Sequence, residues 1–117
     1  MWGRLYQAWG DQQTSSGLRA FLQATMDKQR SAIAAQSGPV TMWAAMAELT
    51  PTLFDVMFNM RGSLRQMADS VNRALTVWFA ALWWANANIV ATDFFMGNNL
   101  VDVAISANLR KVNNIDN

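Results

Sequence analysis

An uncharged stretch of eighteen residues, 74–91, constrains the fold of this chain more than any other feature. A helix needs about 20 mostly apolar residues to cross a bilayer, so the stretch lies between a membrane span and a buried helix of a bundle. We expect membrane insertion in at least one functional state. Because polar side chains are costly beside lipid tails, Asn86, Asn88 and Asp93 should then face inward. The alternative is a central helix enclosed by its own neighbours.

Aromatic residues form two groups, one within this stretch and one in the segment that follows it. The predicted contacts to lipid or to neighbouring subunits are Phe79, Trp83, Trp84, Phe94 and Phe95. On a membrane helix such residues form belts at the two interfaces, where an apolar ring with a polar edge is favoured. Plain core packing is the alternative explanation.

Two prolines and one glycine divide the chain into predicted helices. Proline lacks a backbone N–H, which is no loss in a first turn, so Pro39 and Pro51 indicate helix starts. Gly97 is typical of the residue that follows a helix, because glycine readily adopts the left-handed conformation. No alternation of apolar and polar residues is long enough to indicate a strand. The predicted fold is all-α, with a long central helix at 51–96 and shorter helices at 16–36, 40–49 and 100–112.

Apolar residues of the long predicted helix recur at steps of three and four, which is the period of a helix-packing seam. The predicted oligomer seam consists of Met57, Met60, Leu64, Met67, Val71 and Trp78. The chain has eight methionines, whose unbranched side chains adapt to more than one neighbour. Three thin helices cannot cover this seam, so we expect identical copies of the chain to complete the fold.

An aromatic arm precedes the predicted helical domain. The expected division is an arm at 1–15, a single helical domain at 16–112 and a flexible tail at 113–117. The arm carries four residues with the spacing of one helix face: Trp2, Leu5, Tyr6 and Trp9. Such a face docks into a groove on a partner or lies in a bilayer interface. Packing onto the chain's own bundle is the alternative.

The residue types on which most enzymes depend are missing. The sequence has no histidine and no cysteine, which excludes disulfides, thiolate nucleophiles, an imidazole base and the usual zinc ligands. Two carboxylate pairs, Asp93 with Asp102 and Glu48 with Asp55, lack a sequence partner that would perturb their pKa values. We therefore expect no catalysis, no cofactor, no metal and no small-molecule substrate.

Charge gives the last constraint from the sequence. The net charge is +1 and the basic residues are scattered, so nucleic-acid contact is not indicated. No cleavable signal peptide is visible at the start of the sequence. Only 15% of the residues are charged, against about 25% in ordinary globular domains. Some apolar surface must therefore meet a partner or lipid.

These features favour a non-enzymatic helical structural subunit of a membrane-associated or envelope-crossing oligomeric assembly, of the pilus, channel or phage ejection type. The alternative is a soluble structural or scaffold protein packed inside a virion or another large particle. A binding module that presents the aromatic arm to a target groove is a third hypothesis. The expected partners are other copies of the chain, lipid and a larger protein assembly.

Overall fold

Short strands and helices alternate along this protein. The computed structural model describes residues 5–35, 42–53, 57 and 64–113. In chain order the elements are strand β1 (Tyr6–Ala8), helix α1 (Ser15–Ala34), strand β2 (Trp43–Met46), helix α2 (Leu64–Trp78), a π-helical turn (Phe79–Trp83), strand β3 (Ile89–Ala91), a short 3-10 turn (Phe95–Gly97) and helix α3 (Leu100–Asn113).

The three strands form one parallel sheet in the order β1, β2, β3. Tyr6 is level with Trp43, and Ala44 is level with Ile89. The prediction of an all-α fold is therefore wrong. Each strand is short and lacks a strict alternation of apolar and polar residues, as is common in parallel sheets. The hydrophobic period of such a short run does not distinguish a strand from a helix. Parallel neighbours need a long crossover, and α1 and α2 lie in the two crossovers.

The long central helix predicted at 51–96 is also wrong. In the described part of that range, α2 begins at Leu64, and the helical backbone ends with the π-helical turn. The amides of Asn86 and Ala87 both donate to the Trp83 carbonyl at 3.1 Å, which closes the helix end before β3 begins. Pairing with β2 outweighs the helix propensity of these residues, because propensity is worth only a fraction of a kcal/mol per residue. Among the described residues, no helix is long and apolar enough to cross a membrane.

Of the three shorter predicted helices, two are present and one is not. Helices α1 and α3 correspond to the predictions at 16–36 and 100–112, whereas the described part of 40–49 contains strand β2. Thr14 precedes α1, and its side-chain oxygen accepts a hydrogen bond from the Gly17 amide at 3.1 Å. This cap satisfies one of the amides that a helix leaves without an internal partner. The cap is a local sequence signal, which explains why the sequence predicts the start of α1 correctly.

The core lies between the sheet and the helices. Its largest apolar side chains from the helices are Leu18, Leu22, Met26, Met67, Val71 and Leu75. Trp43 of β2 is 2% exposed and Trp83 is fully buried. The Trp83 indole N–H donates to Gln23 Oε1 at 2.9 Å, and its ring meets Phe79 edge-on at 5.2 Å. A buried indole needs such a partner, so part of the uncharged stretch 74–91 forms the interior of the chain itself.

Candidate functional site

Seven large apolar side chains between residues 94 and 112 stay outside the core. We call them the C-terminal apolar surface: Phe94, Phe95, Met96, Val101, Ile105, Leu109 and Val112. Their exposed fractions run from 49% at Phe94 to 85% at Met96. Phe95 and Val101 line one cavity, which connects the aromatic part of the surface to α3. Exposed large apolar side chains that lie together mark interaction sites on proteins.

Helix α3 is apolar on two opposite faces. On the inward face, Val103 packs against the core and Ala107 is buried. The outward stripe consists of Val101, Ile105, Leu109 and Val112. Its steps of four, four and three keep these side chains on one side of the helix. The inward face serves this chain's own core, whereas the outward stripe stays 54% to 62% exposed, with Val101 at its edge also lining the cavity.

The charges of α3 lie near its ends and beside the stripe. Asp102 is in the first turn, and Arg110 and Lys111 are in the last turn, an arrangement that the helix dipole favours. The Arg110 guanidinium lies 5.5 Å from the centre of the Trp84 ring. Lys111 Nζ donates to the carbonyl of Ala87 at 3.4 Å. Both cations therefore contact the body of the chain, which leaves the outward stripe uncharged.

A buried amide fixes the loop that carries Phe94. The Asn72 side chain is 1% exposed, and its Nδ2 donates to the carbonyls of Asp93 at 3.2 Å and Phe94 at 3.3 Å. Its Oδ1 accepts a hydrogen bond from Asn98 Nδ2 at 3.1 Å. Phe94 has a φ of 49°, which is unusual for an aromatic residue and costs free energy. The Asn72 bonds hold that conformation and keep the Phe94 ring on the surface.

Gly97 allows the same loop to lie close to α2. A Cβ atom at this position would lie 2.8 Å from Asn72 Nδ2 and 2.9 Å from Asp69 Oδ1. Real Cβ atoms do not approach neighbours so closely, so glycine is needed here for space. Gly97 does not end the predicted long helix; it ends the 3-10 turn.

A cavity of about 290 Å³ lies between α3, the π-helical turn and β3. Its apolar wall includes Phe79, Trp84, Val90, Phe95, Val101, Val103, Ala104 and Ala107. Its polar lining consists of Asn88, Thr92, Asn98, Asn108 and Lys111. Such a mixture of apolar walls and a few polar groups is typical of sites for small organic molecules.

Two carboxylates meet at the carboxyl end of the sheet. Glu48 follows β2 and Asp93 follows β3, and the two side chains are hydrogen-bonded. Burial raises the pKa of Glu48 above its ordinary value of 4.5, and the charge and hydrogen bond of Asp93 raise it further. This pair can share a proton. No group of three His, Cys, Asp or Glu in the described part of the chain is arranged to hold a metal ion.

The carboxylate pair differs from both pairs considered in the sequence. Asp55 lies outside the described residues, and Glu48 faces Asp93 instead. The signal that identifies this pair is that each acid lies two positions after the last residue of a short apolar strand. Once these segments are assigned as parallel strands, their following residues meet at one edge of the sheet.

The residues of the predicted oligomer seam differ in their burial. Met67 and Val71 are buried in the chain's own core, and Trp78 is half-buried beside it. Met57 and Leu64 are exposed, at 75% and 56%. Met60 lies outside the described residues. The structure therefore does not bring these residues together as one exposed seam within the described part of the chain.

The residues of the predicted aromatic contacts also differ in their burial. Phe79 and Trp83 are buried and Trp84 is half-buried. Phe94 and Phe95 belong to the C-terminal apolar surface. The predicted inward polar residues lie on the outside or near it: Asn86 is half-buried, and Asn88 and Asp93 are exposed.

The aromatic arm contributes a strand instead of a helical face. Tyr6 belongs to β1, at one edge of the sheet, and Trp2 lies outside the described residues. Leu5, Tyr6 and Trp9 are 45%, 48% and 61% exposed. The Trp9 indole N–H donates to Thr50 Oγ1 at 3.1 Å, which ties the end of β1 to the segment after β2. Docking of these residues to a partner stays a prediction.

Comparison with known proteins adds no family assignment. No family model, curated protein or solved structure matches this chain. Its function is therefore inferred from its own surface, cavity and charges.

Proposed function

We propose that this protein is a non-enzymatic structural protein that works by associating with other copies of itself, as part of a larger protein assembly. The observation that carries the proposal is the C-terminal apolar surface, whose seven side chains are 49% to 85% exposed. Apolar area removed from water contributes roughly 25 cal/mol per Å², so leaving these side chains solvated is unfavourable. A second copy offers the same uncharged stripe on α3 in return.

The pattern of α3 favours an antiparallel contact between two copies. A two-fold axis makes a patch meet itself, and an axis perpendicular to α3 brings residues near one end of the stripe to residues near the other end. Asp102 of one copy then approaches the end of α3 that carries Arg110 and Lys111 in the other. The two helix dipoles also oppose each other in this arrangement. A parallel pairing would place like charges at both ends.

Contact with protein fits the observations better than passage through a bilayer. The uncharged stretch 74–91 is shared among the end of α2, the π-helical turn and β3, and its largest side chains face the core. Among the described residues, eighteen large apolar side chains remain exposed, of which eight lie before this stretch, three within it and seven after it. A surface of this form packs against another folded surface, as it would in a particle or a fibre.

The direct test is to place a charge in the middle of the stripe. Ile105→Glu would bury a carboxylate in the proposed contact, so self-association should weaken at least tenfold. Ile33→Glu is the matched control, because Ile33 and Ile105 are 55% and 54% exposed and both lie on helices. Sedimentation velocity over a range of concentrations measures the effect. Equal behaviour of both variants and the parent chain would contradict the proposal.

Flotation with liposomes distinguishes the proposed self-association from binding to a membrane. We expect the parent chain to stay with the protein fraction at neutral pH. Retention on vesicles through an alkaline wash, lost in Ile105→Glu but kept in Ile33→Glu, would assign the C-terminal apolar surface to lipid instead of to another copy.

A further inference from the structure

The cavity under α3 has apolar walls and one cationic end. At about 290 Å³ it is close to the lower limit of sites that hold small organic ligands, roughly 300–1,000 Å³. Phe79, Trp84 and Val90 supply one wall, and Val103 and Ala104 of α3 supply the other. The small side chain of Ala104 leaves space that a larger residue would fill. Binding of an apolar ligand would therefore bury both its own apolar surface and that of the cavity walls.

The residues that line the cavity follow α3 over most of its length. Its lining extends from Leu100 to Lys111, which are eleven positions apart on one helix. At 1.5 Å per residue this is about 16 Å, measured along the helix axis. A slender chain matches this shape better than a compact ring does.

Polar groups that favour an anion gather at the Lys111 end. Asn108 precedes Lys111 by one turn of α3, and Asn88 follows Ala87, whose carbonyl accepts from Lys111 Nζ at 3.4 Å. An ammonium group has three N–H donors, so this one long bond leaves donors for a ligand. No Asp or Glu is among the described residues that line the cavity. Among the described lining residues, the charge is therefore that of the Lys111 ammonium.

From this geometry we infer that the cavity binds a single-chain alkyl carboxylate, with the chain along α3 and the carboxylate at Lys111. The apolar walls take the alkyl chain, and the ammonium and the two amides take the head group. The cavity shares Phe95 and Val101 with the surface of the proposed self-association, but Ile105 does not line it. Ile105→Glu therefore separates the two proposals. Decanoate binding should therefore persist in Ile105→Glu.

Lysine resonances provide a direct readout on the full-length chain. Lys28 and Lys111 are its two lysines, and Lys28 lies exposed on α1. Incorporation of carbon-13-labelled lysine leaves both amines unmodified, with all three N–H donors, and makes their Cε–H signals visible by NMR. Titration with decanoate, below the concentration at which it forms micelles, should shift the Lys111 signal and leave the Lys28 signal in place. Decanol and decylamine serve as the neutral and cationic probes of equal chain length.

Two substitutions test the tail and the head of the ligand separately. Ala104→Phe fills the cavity and should weaken decanoate binding at least tenfold, whereas Ala24→Phe on the exposed side of α1 should not. Lys111→Gln should weaken decanoate binding about tenfold, or about 1.4 kcal/mol, and remove the preference over decanol. Lys28→Gln is its control, and calorimetry measures all four variants.

Several results would overturn the inference. They are an unmoved Lys111 signal, equal binding of decanoate, decanol and decylamine, or decanoate affinity unchanged in both Ala104→Phe and Lys111→Gln. Should Ala104→Phe fail to fold, Lys111→Gln still decides the question. That position is only half-buried, at the end of α3, and it tolerates glutamine sterically.

Discussion

Asn72 stabilises the fold through one amide on which three hydrogen bonds converge, with Asp93, Phe94 and Asn98. Asn72→Ala removes all three bonds of a buried side chain and leaves the carbonyls of Asp93 and Phe94 without this partner, so we expect a loss of about 2–3 kcal/mol in the free energy of unfolding. Asn108→Ala, at an exposed position, should change it by less than about 0.5 kcal/mol. Urea denaturation followed by tryptophan fluorescence measures both. A small loss in Asn72→Ala would show that the loop is held by other contacts.

Glu48 makes the stability of the folded chain depend on pH, and a single substitution of Glu48 should remove this dependence. Burial, followed by the charge and hydrogen bond of Asp93, raises its pKa above 4.5 in the folded chain. The folded state therefore holds the proton more tightly than the unfolded state, and this stabilising contribution is present at low pH. It is lost as the pH rises through the raised pKa.

Glu48→Gln should thus become more stable relative to the parent chain as the pH rises beyond 4.5. Asp93→Asn should reduce the same dependence, because it removes the negative charge that faces Glu48. Thermal melts at several pH values report the difference. A difference between parent and Glu48→Gln that stays constant with pH would contradict the coupling.

At the scale of elements, the sequence predicts the helices that local signals determine and misses the strands that only partners determine. Leu18, Leu22 and Met26 recur at steps of four in α1 and are buried, as that period indicates. Trp43–Met46 is too short to show any period, and its partner β3 follows more than forty residues later. No local rule detects such a pairing, since it depends on contacts made after α2 has folded.

The same reasoning applies to the candidate site. The exposed Phe94 and Phe95 are among the residues predicted to make contacts, whereas the neighbouring stripe of α3 is not predicted as a contact. Trp83 was expected at a surface because a run without charges is typical of lipid contact, yet it is fully buried. Composition alone cannot distinguish a residue buried by its own chain from one buried by a partner.

Cysteine pairs test the antiparallel arrangement of α3. The chain contains no cysteine, so a single introduced thiol is unambiguous. A mixture of Val101→Cys and Val112→Cys chains should form a mixed disulfide several times faster than either variant alone, because an antiparallel pair brings these two ends together. Non-reducing gels measure the products. Faster linkage between identical variants would favour a parallel pair, and Ile33→Cys provides the background rate.

At the scale of the whole molecule, self-association should make thermal stability depend on protein concentration. Copies that bind only when folded shift the equilibrium toward the folded state by mass action. A roughly hundredfold rise in concentration should raise the midpoint of unfolding by a few degrees. Ile105→Glu should show no such rise, and Ile33→Glu should behave like the parent chain. Scanning calorimetry or tryptophan fluorescence checks this, and a midpoint independent of concentration in the parent chain would contradict it.

The strand order also has a consequence for synthesis of the chain. During translation β1, α1 and β2 emerge first, and the core that they would cover still lacks Trp83 and β3. One edge of β2 then has no strand beside it, and open edges of this kind invite aggregation. The sheet can therefore be completed only after residue 91 has been synthesised, and until then β2 is exposed to pairing with another chain.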